Sequence, residues 1–289
     1  MRWISSRRPR GAATALSACV VLSGASCIGG YRAELEFTEN LDVGAAEHIV
    51  LELPATALKI RGTAETTTTL TGSWFGLGGT KRVAEEMVES ASFVVERVGA
   101  AARVFTVVEP EAEGLVTLET ETLKVPWGKD LSLWTEGGDI DVDDVRGYLV
   151  VDIGGGNIEA RRVADGVELF TAGGDIDIET LPPSEDAATP IWAVSFSGDI
   201  DVRQRGGGDV ELQTYRGDLT LFLNDDDDVE LYAYGSEGVL VQTGQIDVQS
   251  PGGTVRRTVG EGTRRVVVIA DEGSVTVRET MPAGNVPSP

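Results

Sequence analysis

A glycine, then an acid or amide, then apolar residues two apart: this phrase recurs through the second half of the sequence and limits the fold more narrowly than any other feature. It reads Gly137-Gly138-Asp139-Ile140-Asp141-Val142 and returns as Gly155-Gly156-Asn157-Ile158-Glu159, Gly173-Gly174-Asp175-Ile176-Asp177-Ile178 and Gly198-Asp199-Ile200-Asp201-Val202. Looser copies follow at Gly217-Asp218-Leu219, Gly244-Gln245-Ile246-Asp247-Val248 and Gly273-Ser274-Val275-Thr276-Val277. Each copy is a corner followed by a short strand with one buried face. Gly138, Gly147, Gly156, Gly166 and Gly174 are spaced by 9, 9, 10 and 8 residues. One strand and one turn per nine residues predicts an all-β fold, a β-solenoid (a single-stranded β-helix of short coils), with two units closing a coil of about 18 residues.

The first half is strand-like without the repeat. Glu34–Phe37, Ile49–Leu53 and Leu58–Ile60 alternate, Thr66–Thr71 reads as a polar, exposed strand, and Gly76–Gly79 as a loop. The period changes at 80–91, where Val83, Ala84, Met87, Val88 and Ala91 share one helical face and Thr80 can cap it. The organisation expected is a signal over 1–27, a linker and first strand over 28–44, and a β-rich cap with one short helix over 45–125. Solenoid repeats then occupy 126–280 and a disordered tail 281–289. Turn-rich insertions fall at 181–186, at Asn224 with Asp225–Asp228, and from Pro251 to Arg264.

The signal carries Arg2, Arg7, Arg8 and Arg10 before an uncharged run from Gly11 to Leu22, too short to span a bilayer as a mature helix. Ser23-Gly24-Ala25-Ser26-Cys27 resembles the bacterial lipoprotein signal, in which the cysteine is acylated and becomes the new N-terminus. Leu16-Ser17-Ala18-Cys19 is the second choice, with a shorter apolar run before it, and a plain secretory signal is the other alternative. Ile28, rather than Asp, after Cys27 implies by the same resemblance an outer-membrane lipoprotein of a Gram-negative envelope. The lipid bilayer is then a partner through the acyl anchor.

Forty-seven Asp and Glu stand against 24 Lys and Arg, and cleavage before Cys27 would take the formal charge from −23 to −27. Such a surface repels phosphates, which argues against nucleic acid as a partner. Cys19 and Cys27 are the two cysteines and His48 the one histidine, so the body of the chain has no disulfide and a Ser-His-Asp triad would have to use His48.

Leu58-Lys59-Ile60-Arg61-Gly62, a helix near 80–91, Val125-Pro126-Trp127-Gly128 running into Leu131-Ser132-Leu133-Trp134-Thr135, and then Gly138-Asp139-Ile140 follow in that order. This order is similar to the bacterial putative-adhesin proteins of the β-strand-repeat, domain-of-unknown-function type, over about residues 45–280. The resemblance implies a β-helical extracytoplasmic domain, tethered to a membrane, without catalytic residues to carry over. The acidic insert at 224–228 and the insert at 251–264 depart from it.

If two units make a coil, Asp139, Asn157, Asp175, Asp199 and Asp218 line one edge. Calcium would suit clustered carboxylates, with Asp139, Asp175, Asp199 and Asp218 as the metal candidates. The alternative is that Asp and Asn after glycine cap turns through their own side chains. Asp225–Asp228 reads as a solvated run. Trp127, Trp134 and Trp192 could stack on sugar rings or could serve as core and end caps. The sequence therefore predicts a non-enzymatic envelope module, structural or adhesin-like, with an envelope protein or a glycan as possible partner and no cofactor required. A calcium-dependent glycan binder and a carboxylate-dependent polysaccharide-cleaving enzyme are the alternatives.

Overall fold

Two large sheets face one another, and through residues 130–242 the chain passes from one to the other with every strand. The computed structural model describes residues 30–108, 114–182, 188–223 and 228–279. The strands of the first part are β1 (Tyr31–Leu41), β2 (His48–Leu53), β3 (Leu58–Thr63), β4 (Thr68–Gly78), β5 (Ala91–Val98), β6 (Ala101–Val108) and β7 (Gly114–Pro126), with helix α1 (Lys81–Ser90) between β4 and β5. Next come β8 (Asp130–Thr135), β9 (Ile140–Asp143), β10 (Leu149–Ile153), β11 (Ile158–Val163), β12 (Val167–Thr171), β13 (Ile176–Thr180), β14 (Ile191–Ser195) and β15 (Ile200–Gln204). The last are β16 (Val210–Arg216), β17 (Leu219–Leu223), β18 (Val229–Gly235), β19 (Gly238–Gln242), β20 (Asp247–Ser250), β21 (Gly253–Thr258), β22 (Arg264–Glu272) and β23 (Ser274–Glu279).

One sheet has twelve strands in the order β1-β4-β7-β3-β9-β11-β13-β15-β17-β23-β19-β20. The other has eleven, in the order β21-β18-β22-β16-β14-β12-β10-β8-β2-β6-β5. The fold is all-β with mixed sheets, neither closed into a barrel. From β8 to β17 successive strands alternate between the sheets and pair in parallel with the strand two places on.

The period-2 pattern explains the core. Leu131, Leu149, Val167, Ile191, Val210 and Val266 stand in register on the inner face of the eleven-strand sheet. Ile140, Ile158, Ile176, Ile200, Leu219 and Val275 do so on the twelve-strand sheet. All are buried, and they belong to one apolar cluster that runs from Ala33 to Val277. Each strand is short, so its stability comes from the neighbours on which it stacks.

Several parts of the chain depart from the sequence reading. The parallel pairing includes β2, between β6 and β8, and β3, between β7 and β9, both ahead of the helix in the chain, so the segment from β4 to β7 with α1 is inserted in sequence between members of one parallel series. The strand beginning at Thr68 is a central one between β1 and β7, with Thr68 and Leu70 fully buried, and it continues through Gly78 where a loop was expected. Gly78 and Gly76 are strand glycines because α1 lies on them; a Cβ on Gly76 would collide with the Ala84 carbonyl.

The copy at Gly244–Val248 adds no parallel rung. Its strand, β20, is antiparallel to β19 at the sheet edge. The 251–264 insertion supplies β21, which closes the other sheet as an antiparallel edge on β18. The chain then turns back, and β22 and β23 lie between strands that precede them in sequence, β22 between β16 and β18 and β23 between β17 and β19.

Helix α1 starts where the change of period placed it. Thr80 has extended backbone dihedrals and its hydroxyl accepts the Val83 N–H at 3.2 Å, while Ala84, Met87 and Val88 are buried. Beside it Phe37, Trp74 and Phe93 form a cluster with ring centroids 5.1 to 5.9 Å apart, plugging the N-terminal end of the core.

Candidate binding face

The residues that the sequence marked as metal candidates do stand in one column, and one side-chain oxygen of each accepts a backbone N–H of the next rung. Asp139 Oδ1 accepts the Asn157 N–H at 2.9 Å, Asn157 Oδ1 accepts that of Asp175 at 2.9 Å, and Asp175 Oδ1 that of Asp199 at 2.9 Å. Asp199 Oδ1 accepts from Asp218 N–H at 2.7 Å, and Asp218 Oδ1 from both the N–H and the hydroxyl of Ser274 at 2.8 Å. From β9 through β23 each rung of the twelve-strand sheet is thus tied to the next through a side-chain oxygen. Among the described residues no group of three or more His, Cys, Asp or Glu is arranged to hold a metal ion. Asp228 uses Oδ1 to accept the Glu261 N–H. Asp225 to Asp227, Cys19 and Cys27 lie outside the described residues.

A second column escaped sequence reasoning. Thr135, Thr171, Ser195 and Thr214 are buried, and their hydroxyls donate to main-chain carbonyls at the corner: Pro54 for Thr135, Gly156 for Thr171, Gly174 for Ser195 and Gly198 for Thr214, at 2.8 to 3.0 Å. The signal was a hydroxyl residue three positions before the corner glycine. Ile153 and Ala270 interrupt it, which hides the column in the linear chain. Both columns brace the corners of the stack with hydrogen bonds between rungs.

The outer faces differ sharply. On the twelve-strand sheet Lys59, Asp141, Glu159, Asp177 and Asp201 stand in one register row, with Arg61, Asp143, Arg161, Glu179 and Arg203 in the next. The charges pair across rows: Arg61 donates to both oxygens of Asp141 at 2.7 and 3.0 Å, Arg203 lies 3.4 Å from Asp177, and Arg161 pairs with Glu159. The Arg61 hydrogen bonds hold the Asp141 carboxyl below its ordinary range against a smaller opposing effect of burial.

The eleven-strand sheet instead gathers the aromatic residues. Glu168, Trp192, Glu211, Val267 and Tyr232 form one outward row, and Trp134, Asp152, Phe170, Val194, Gln213, Ile269 and Tyr234 the next. Phe196, just past the end of β14, and Tyr215, near the end of β16, stack with centroids 4.7 Å apart and planes 6° from parallel; Phe170 meets Phe196 edge-on at 5.8 Å. Trp134, Trp192, Phe196, Tyr215 and Tyr232 are each 38 to 46% exposed. Exposed aromatic residues grouped on one side of one sheet are the kind of surface that interaction sites use.

Two adjoining depressions of about 430 and 370 Å3 make a trough in this face, sharing Glu211, Arg265 and Val267 in their walls. Trp192 stands between Glu168 and Glu211 on the neighbouring strands. Tyr148 forms part of the wall and its hydroxyl donates to Glu168 Oε1 at 2.6 Å. Burial first, and the Glu168 carboxylate second, push the Tyr148 phenol up to about 12, so it is a neutral donor that fixes Glu168 in place. At the other end Arg256 pairs with Glu230 at 2.6 Å. The trough is therefore polar at its walls and flat and apolar at Trp192, Val267 and Tyr232.

The remaining sequence candidates are elsewhere. Trp127 lies outside the trough, with Arg146 stacked 3.7 Å above its ring and its Nε1 donating to Asp144. His48 Nε2 contacts Ser132 Oγ at 2.8 Å, but Ser132 is 3% exposed and cannot be approached by a substrate, so this Ser-His pair is structural. No helix of the described residues is long and apolar enough to cross a membrane.

Comparison with known proteins gives no match to any family model and none to any curated protein. Among solved structures the chain is similar to a putative cell adhesion protein from Clostridium sporogenes, at 11% identity and a TM-score of 0.37 over 85% of this chain and 99% of that one. It is similar to a putative adhesin from Bacteroides fragilis at 12% identity and a TM-score of 0.44, over 85% of this chain and 97% of that one. A putative lipid binding protein from Parabacteroides distasonis aligns at 7% identity with a TM-score of 0.31, over 83% of this chain and 96% of that one.

Proposed function

We propose that this chain is a non-enzymatic, adhesin-like binding module of the cell envelope, built as a β-solenoid and engaging its partner with the outer face of the eleven-strand sheet. The observation that carries the reading is the asymmetry of the two faces. One neutralises its charges in pairs, and the other leaves Trp134, Trp192, Phe196, Tyr215 and Tyr232 open to solvent. Residues 1–27 serve as a lipoprotein signal with Cys27 as the acylated residue, or Cys19 in second place, and the destination is a Gram-negative outer membrane. The support is the signal's composition together with the charge, since a chain of −27 would not adhere to anionic lipid without an acyl anchor.

The test is a pull-down of labelled protein on purified cell walls and outer membranes. A Trp192→Ala/Phe196→Ser/Tyr232→Ser variant should lose retention, and Asp177→Asn/Asp201→Asn on the opposite face should keep it. Equal retention of both variants sinks the binding face, and turnover of the retained material would remove the non-enzymatic reading. For the anchor, Cys27→Ala should shift the protein from the membrane to the soluble fraction; a variant that stays with the membrane means another attachment.

A further inference from the structure

We infer that the trough across β12, β14, β16, β22 and β18 binds an uncharged glycan chain, with Trp192 as its stacking platform and Glu168 and Glu211 as acceptors for the sugar hydroxyls. The inference rests on the proposed binding face and names its ligand.

The row order is the main argument. A pyranose ring has an apolar C–H face and an equatorial rim of hydroxyls. It needs a flat aromatic beneath it and hydrogen-bonding groups at the same height on either side. Trp192 on β14 has Glu168 in register on β12 and Glu211 in register on β16, which supplies that arrangement. Glu168 is held ready by the Tyr148 hydroxyl at 2.6 Å, and a carboxylate already oriented loses less freedom on binding. Tyr232 lies three strands further along the row, roughly 14 Å at ordinary strand spacing, so a second platform waits at the distance of a short oligosaccharide. The two depressions, about 430 and 370 Å3, fall in the range of ligand sites.

Other occupants fit less well. Asp209, Glu168, Glu211 and Glu230 line the trough against Arg265 and Arg256, so a second copy would set like charges opposite one another, and an acidic polysaccharide or anionic lipid would be repelled. A peptide that binds by strand addition needs a free strand edge, and β12, β14, β16 and β22 are paired on both sides. A neutral sugar brings donors and acceptors together, matching carboxylates interspersed with guanidiniums.

Titration calorimetry and tryptophan fluorescence with cellohexaose, chitohexaose, xylohexaose and laminarihexaose test this directly, with polygalacturonate and polylysine as controls. At least one neutral chain should bind saturably and both polyelectrolytes should not. Trp192→Ala should weaken binding by about tenfold or more, Trp192→Phe should restore part of it, and Trp127→Ala should leave it unchanged. Glu211→Gln, which keeps the acceptor oxygen and removes the charge, should weaken it less than Glu211→Ala. Each variant is compared for thermal unfolding so that a folding defect is seen as such. Absence of binding to every neutral chain, binding that survives Trp192→Ala, binding of polylysine alone, or a dimer in sedimentation that Trp192→Ala dissociates would each overturn the inference. Failure here with the pull-down behaving as expected leaves the proposed binding face standing, whereas equal retention of the two pull-down variants, or no retention of the wild-type protein, removes both.

Discussion

Gly174 shows how much a corner asks of one residue. Its φ is +134°, which side chains rarely adopt, and a Cβ there would run into the Gly156 carbonyl beneath it. Gly174→Ala should cost roughly 2–4 kcal/mol in urea unfolding, combining a strained backbone with an overpacked contact. Asp175 beside it contributes a single hydrogen bond to the Asp199 N–H. Asp175→Ala should therefore cost about 0.5–1.5 kcal/mol, while Asp201→Ala, on an exposed strand position, stays within about 0.5 kcal/mol of wild type. Tyr148 offers a spectroscopic check on the trough. Its phenolate absorbance should appear near 12 rather than the ordinary 10, and Glu168→Gln should bring it part of the way down, since burial, the larger cause, remains.

Among elements, the strands and the helix were legible and their neighbours were not. Alternation in Ile140/Val142 or Leu149/Val151 identifies a strand and its inner face from a few residues, because the period of two is local. The shift to a helical period at Val83–Val88 and the hydroxyl of Thr80 were equally local, and Thr80→Ala should lower stability by about 1 kcal/mol in urea unfolding. Pairing is not local. Nothing in Gly244–Val248 distinguishes an antiparallel edge strand from another parallel rung, and the turns around it decide. The aromatic face was hidden for the same reason: Phe170, Phe196, Tyr215 and Tyr232 meet only through the register of five strands. In the sequence Trp192 is one of three tryptophans that could be sugar platforms or core, with nothing to bring in the carboxylates that flank it.

The ion pairs between strands set a pH dependence at this scale. The Arg103 hydrogen bonds lower Glu52 as the Arg61 hydrogen bonds lower Asp141, so both pairings stabilise the fold above the ordinary carboxylate range and are lost as pH falls through the depressed values. The urea midpoint of wild type should exceed that of Asp141→Asn near neutrality, and the gap should close below about pH 4.

For the whole molecule, the return of the chain matters more than any rung. A stack assembled in sequence order could lose its last coil at the cost of that coil alone. Here β22 lies between β16 and β18, and β23 between β17 and β19. Truncation before Arg264 should therefore release β18–β21 as well, seen as protease cleavage throughout residues 229–258 rather than a trimmed terminus. A protected 229–258 segment would mean that these strands hold without their parallel partners.

That same wedge governs when folding can finish. Val210 waits for Val266, 56 residues later, and Leu219 waits equally long for Val275. Contacts so distant along the chain close slowly, because the intervening loop must give up its freedom before any pairing rewards it. While the polypeptide is still emerging, β16 and β17 expose open edges, and β18 to β21 have nothing to dock on. β22 and β23 act as the latch, and until they are made the molecule stays open.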